Sequence, residues 1–292
     1  MNRMTKKTIV GIRRCNQFSP NHIGNDAAIF GLTVEYLKNR GYEVVEYTEP
    51  QFLQTDIQSD VIFNMARDVN SLKKLQQLED QGKLVINSGY GIQNCTRERM
   101  TTLLLSNQIP HPKSIIVNTD EPVPAEHATF AHNCWVKRGD FHAIHREDVS
   151  FARHREETEN ILSEFAFRGI TRAVINEHVS GDLLKFYGVA GTDYFHWFYH
   201  YDLHHSKFGL ETINGKPLGF PFDISTLKNL CYQTAQVLNI LIFGGDCVIT
   251  PEGAIKIIDF NDWPSFAPCR KEAAPFIAQC IDNQITSRKS DL

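Results

Sequence analysis

An α/β fold opening on a parallel sheet is what this sequence predicts, and two observations carry it. Residues 8–86 alternate short apolar, β-branched runs with helical stretches, the rhythm of βαβ units whose helices cover both faces of a parallel, Rossmann-like sheet. Farther along, residues 243–249 and 255–264 form two apolar runs around Thr250-Pro251-Glu252-Gly253, a hairpin turn by its Pro and Gly. The 292 residues leave room for two domains or three small lobes, and 42% hydrophobic with 22% charged residues is an ordinary globular composition.

Residues 8–12 make the first strand, and residues 27–40 a helix stopped by Gly41. Strands follow at 42–47 and 60–63, then a helix over 71–81 with Gly82 at its end, then a strand at 84–86. No GxGxxG follows the first strand, so the dinucleotide fingerprint is absent. The first strand instead runs into Arg13-Arg14-Cys15-Asn16 and the third into Asn64-Met65-Ala66-Arg67. Ligands of open α/β sheets gather at the carboxyl ends of strands, so Arg13, Arg14 and Arg67 are candidates to hold an anionic substrate. Surface arginines on loops are the alternative reading.

Residues 87–91 form a turn-rich junction. Thr96 opens a helix through residue 107, which Ile109-Pro110-His111-Pro112 breaks, and residues 113–117 read as a strand. Cys134-Trp135-Val136-Lys137 is a short strand with a return strand expected over 143–149; a lysine snorkelling to water is the plain reading of Lys137 alone. A helix spans 155–167, and strand, turn and strand follow through Glu177, Gly181 and Asp182. On a strand from 194 to 201, His196, Phe198 and His200 share one face, but no Cys or acidic partner stands at ligand spacing. A half-buried strand leading into a mobile loop over 206–222 is the expectation there. Asp223 or Ser225 caps the next helix, which runs to residue 238, and a last helix covers 272–284.

The hairpin carries the chemistry. Asp246 lies on one strand; Asp259 and Asn261, two apart on the other, point to one face. Three hard oxygen donors converging there suit Mg²⁺, or Mn²⁺, which leaves coordination positions for phosphates. A hairpin with polar residues at its mouth is the alternative.

Asp259-Phe260-Asn261-Asp262-Trp263-Pro264, preceded by the Asp246 strand, resembles the C-terminal signature of the ATP-grasp superfamily. Residues 86–117 resemble that superfamily's lead-in segment, the Lys137 strand its phosphate-binding lysine strand, and Asn176-Glu177-His178-Val179-Ser180-Gly181-Asp182 its adenine hinge. The resemblance implies a pre-ATP-grasp Rossmann-like domain over 1–86 and a two-lobed ATP-grasp fold of α+β lobes, divided into 87–170 and 171–292. It implies ATP and Mg²⁺ as cofactors. Arg99, Lys137 and His142 would meet the phosphates, with Glu177 near the adenine amino group, the backbone of His178 and Val179 supplying the hinge hydrogen bonds, Asp182 at the ribose, and Lys185 in the phosphate site.

By the same resemblance the activity is that of a carboxylate–amine (or thiol) ligase of the RimK and glutathione-synthetase type, with an acidic small molecule and an amine acceptor as partners. Arg270, with Lys185, would then be catalytic, stabilising an acylphosphate or oxyanion. An inositol-phosphate-like kinase and a nucleotide-binding protein without turnover are the alternatives. Many relatives form dimers, so a homodimer is an open expectation.

A net charge of −4 speaks against nucleic acid or a membrane surface as the partner. No apolar run approaches the ~20 residues of a membrane helix. The basic N-terminus leads straight into a strand, unlike a signal peptide. Seven scattered cysteines without a CxxC pair suit a reduced, cytoplasmic protein and not a zinc site.

Overall fold

The structure, a computed structural model, describes residues 7–18, 23–141, 145–200 and 213–290. β1 (Thr8–Arg13), β2 (Glu43–Thr48), β3 (Val61–Asn64) and β4 (Leu84–Ile86) form a parallel sheet in the order β2-β1-β3-β4. Ile9 to Ile12 and all of β3 are buried, as strands covered on both faces must be. α1 (Ile23–Asn39) and α3 (Val69–Asp80) are the crossover helices. Between β2 and β3 lies α2 (Glu49–Gln54), which the sequence reading omitted; its signal is a capping box, Thr48 with Gln51 three residues on. The 87–91 junction proves to be largely helical, as α4 (Gly89–Asn94), followed by α5 (Arg97–Ser106).

β5 (Ser114–Asn118), β6 (Cys134–Arg138), β7 (Val149–Ala152) and β8 (Arg172–Glu177) form an antiparallel sheet in the order β5-β8-β6-β7, backed by α6 (Arg155–Phe167). The return strand expected over 143–149 therefore begins only at Val149, because residues 146–148 form a 3₁₀ turn. A division at residue 170 would also assign β8 to the third lobe. β8 pairs with β5 and β6, so the passage between lobes falls at 178–181.

β9 (Asp182–Val189), β10 (Phe195–Tyr199), β11 (Ile242–Ile249) and β12 (Ile255–Asp262) form the third sheet, antiparallel, in the order β10-β9-β11-β12. α7 (Ile224–Leu238) is capped by Asp223, which accepts the Thr226 N–H, and α8 (Arg270–Ser290) outruns its expected span at both ends.

The central sheet has its own core, with Val136, Leu162, Phe165 and Ile175 at its middle. The first and third sheets share theirs. Ile12, Phe52 and Leu75 pack in one cluster with Phe186, Phe243 and Ile257, and Phe30 and Phe63 in another with Trp263, Phe266 and Ile277. Asn87 joins the two sheets: its Oδ1 accepts the Leu241 and Ile242 N–H groups and its Nδ2 donates to Ile242 O. Among the described residues no helix is long and apolar enough to cross a membrane, and all seven cysteines are free thiols.

Candidate active site

The register of the third sheet builds the site. Lys185 on β9 stands opposite Asp246 on β11, and Asp246 opposite Asp259 on β12, so the three side chains form a row on one face. Asn261 lies two residues along β12 on the same face, opposite Gly244. The ladder slips between Asp246 and Cys247, leaving Ile258 with no partner on β11. Such a bulge bends its strand and re-aims side chains, and here Ile258 joins the lining of a cleft facing the central sheet.

That cleft lies between Trp135, Lys137 and Glu177 of the central sheet and Leu183, Asp246 and Ile258 of the third. Its charges are paired. The Lys185 ammonium donates to Asp246 at 2.9 Å and Arg97 to Asp259 at 2.8 Å, while Lys137 Nζ reaches Ile258 O at 3.3 Å. His200 Nε2 stands 3.6 Å from Asp246. Burial resists the charge on Asp259, but Arg97, Lys137 and Lys185 outweigh it and hold its carboxyl well below the usual range. For Lys185 burial is likewise outweighed by Asp246, and its pKa rises. Lys137 behaves oppositely: burial, then Arg97, pushes its pKa down to about 7.

Two carboxylates on directly opposed residues, one held firmly ionised, with the Asn261 amide beside them, are a donor set that fits Mg²⁺ or Mn²⁺. Asn261 is half-buried and its side chain makes no hydrogen bond among the described residues. Among those residues no group of three or more His, Cys, Asp or Glu could hold a metal.

Of the residues singled out in the sequence, Asp246, Asp259, Asn261, Lys185, Lys137, Glu177 and Val179 come together here. Others do not. Arg99 is exposed beside Glu98, Thr102 and Asp140, and Arg97 reaches Asp259 instead; residues two apart on a helix point to opposite sides, so only one can face the cleft. His178 turns away. Its N–H donates to Asn133 O, and its ring packs on Trp135 and Phe151, accepting the Trp135 Nε1–H.

Asp182 is buried and both its oxygens are taken, by the N–H groups of Leu218 and Phe220. With Asn214 donating to Val179 O and Gly181 O, it ties down residues 213–222, the part of the expected mobile loop that the structure describes. Glu177 accepts the Lys113 N–H and the Lys256 ammonium, which overcome burial and lower its pKa. His142 lies outside the described residues.

The arginines separate likewise. Arg13 is at the surface, paired with Glu46. Arg14 donates to Asp26, Asp262, Met65 O and Trp263 O, and Arg67 donates to Asp262, all of them buried. These two therefore join the first sheet to β12 rather than standing open to an anion. Arg67 Nε remains buried without a hydrogen bond. Arg270 donates to Asn25 on α1, and its Nε is likewise unpartnered.

The sequence reading missed Arg97, Lys256 and Asp262. Arg97 was accessible from its position just after the Thr96 cap; Asp262 pairs with residues 195 and 248 positions away, which no local pattern reveals.

No family model and no curated protein matches the sequence. Solved structures do match. A D-alanine–D-alanine ligase from Bacillus anthracis complexed with ATP superposes over 98% of this chain and 100% of its own, with a TM-score of 0.68 at 12% identity. A D-alanyl-alanine synthetase A from Vibrio cholerae covers 96% and 98%, with a TM-score of 0.66 at 12% identity. The ATP-grasp ligase PsnB complexed with minimal precursor covers 96% and 99%, with a TM-score of 0.60 at 14% identity. A parallel four-stranded sheet followed by two antiparallel ones, matched over nearly the whole length of these enzymes, gives this chain the ATP-grasp fold.

Proposed function

We propose that this chain is an ATP- and Mg²⁺-dependent ligase that joins a carboxylate to an amine through an acylphosphate. The observation that carries the reading is the Lys185–Asp246–Asp259 row, with Lys137 and Arg97 closing on it across the cleft. Three cations around two carboxylates suit a polyphosphate with its metal, and the apolar end near Trp135, Val179 and Leu183 suits a base. The ATP-bound structure of the Bacillus anthracis ligase supports the same assignment of ATP.

Asp246, Asp259 and Asn261 would hold the metal, which when bound neutralises charge on the β- and γ-phosphates. Lys137, Arg97 and Lys185 hold phosphate oxygens and stabilise the charge that develops as the γ-phosphoryl moves. The substrate carboxylate attacks the γ-phosphorus and the bond to ADP breaks. The amine then attacks the acyl carbon, loses a proton, and phosphate leaves. Of the arginines assigned to the substrate or the acylphosphate, Arg13, Arg14 and Arg67 are committed to carboxylates, which leaves Arg270 for the acidic substrate.

A matrix of carboxylic acids and amines, assayed for ADP release, tests this. ADP release that needs both an acid and an amine, and falls about 10²-fold or more in Asp259→Ala, is the expected outcome. ADP release with a single acceptor and no amine, or full turnover in Asp259→Ala, contradicts the assignment.

A further inference from the structure

The segment Ile109-Pro110-His111-Pro112, between α5 and β5, does more than end a helix. β12 is the outer strand of its sheet, so Ile257 presents its N–H and C=O to whatever lies beyond the edge. Both groups are taken by this turn: the Ile257 N–H donates to Pro110 O at 2.8 Å, and Ile257 O stands 2.7 Å from His111 Nδ1. Proline has no N–H, so the flanking Pro110 and Pro112 offer no backbone donor, and the imidazole supplies one.

The contact fixes the state of the ring. A carbonyl only accepts, so Nδ1 carries the proton. Burial pushes the His111 pKa down to about 4, which keeps the ring neutral and leaves Nε2 an acceptor, buried and without a hydrogen bond. The charged groups that act on it are Lys137, Arg97 and Asp259, those of the cleft.

Ile257 is the residue at which the β12 bulge begins. Ile258, next along, gives its carbonyl to Lys137, and Asp259 follows. We infer that His111 is a positioning residue for the metal-binding carboxylate: its Nδ1–H pins the bulge of β12 to the start of the central lobe, and so sets where Asp259 stands relative to Lys137. The inference rests on the reading of the cleft as a nucleotide–metal site.

Mn²⁺ titrations followed by electron paramagnetic resonance, with wild type and variants saturated with a non-hydrolysable ATP analogue, test it. His111→Leu is expected to weaken Mn²⁺ binding about 10- to 100-fold, the range found when a partner that orients a metal ligand is removed. Affinity for the analogue without metal stays unchanged. His111→Asn, whose amide nitrogen takes the place of Nδ1, is expected to restore Mn²⁺ binding. A folded His111→Leu that binds Mn²⁺ as wild type does, or a folded His111→Asn as weak as His111→Leu, overturns the inference alone. If His111→Leu does not fold, His111→Gln, whose amide sits one methylene farther out, replaces it with the same two outcomes. Wild type that binds no Mn²⁺ with the analogue overturns the reading of the cleft as well.

Discussion

Lys137 is the residue whose charge the cleft controls most closely. Its buried ammonium, beside Arg97, titrates near pH 7, so in the free protein it is partly neutral around neutrality. A polyphosphate stabilises the protonated form and raises that pKa, so nucleotide binding takes up a proton as pH rises past about 7, and affinity declines there. Calorimetric titrations in buffers of different ionisation enthalpy should find that uptake in wild type and not in Lys137→Met, which binds about 10- to 100-fold more weakly. Uptake unchanged in the variant would contradict the placement of Lys137 at the phosphates. Asp182 makes the opposite case. Its type and position suggest a ribose ligand, yet both oxygens serve Leu218 and Phe220. Asp182→Ala should therefore cost about 1–3 kcal/mol in chemical denaturation, with nucleotide affinity nearly intact; a lost affinity at unchanged stability would restore the ribose role. Asp259 and Asn261 were legible as one face because strand alternation sets their direction, whereas Lys137 and Lys185 were named only through the family resemblance. Arg99, His178 and Asp182 were misjudged because helix phase and loop partners decide where such side chains point.

At the scale of elements the β11–β12 hairpin was the most legible part of the chain. Its turn residues, its β-branched runs and its spacing of acids all agree, and the structure returns Gly253 at φ +81° with its N–H on Thr250 O. The bulge was not legible, since it depends on pairing between strands rather than on composition. Gly245 is bound to that geometry: a Cβ there would stand 2.3 Å from Asp259 O and 2.6 Å from the Phe186 ring. Gly245→Ala must displace β12. It is expected to lower stability by about 1–3 kcal/mol and to weaken Mn²⁺ binding in the nucleotide complex, measured side by side. Wild-type metal affinity in that variant would mean that the bulge does not position Asp259. The assignment of β8 failed for a related reason, because a single strand between two lobes carries no mark of which sheet it joins.

Across the whole molecule, the first and third sheets share their cores while the central sheet keeps its own. The Arg14–Asp262–Arg67 cluster stands at the joint of the shared unit, with Asp262 fully buried. Removing one partner of a buried cluster leaves uncompensated charge, so Asp262→Asn should cost about 3–5 kcal/mol. Hydrogen exchange should quicken in β1, β3 and β12 and stay unchanged in β6 and α6; an effect spread evenly over all three sheets would contradict the division. The parallel first sheet was readable from periodicity and the two later lobes from the family resemblance, whereas this long-range pairing was not, because its members lie at opposite ends of the chain.

The central claim is chemical, and an oxygen label tests it most directly. With the acid and amine that support ADP release, the acid is labelled with ¹⁸O in its carboxylate and the products are followed by phosphorus NMR. Attack of the carboxylate on the γ-phosphorus requires that one labelled oxygen leave with the phosphate. Free phosphate shifted by a single ¹⁸O is the result that the proposed ligase reaction requires. Unlabelled phosphate, or a new phosphoester signal in place of free phosphate, would contradict it.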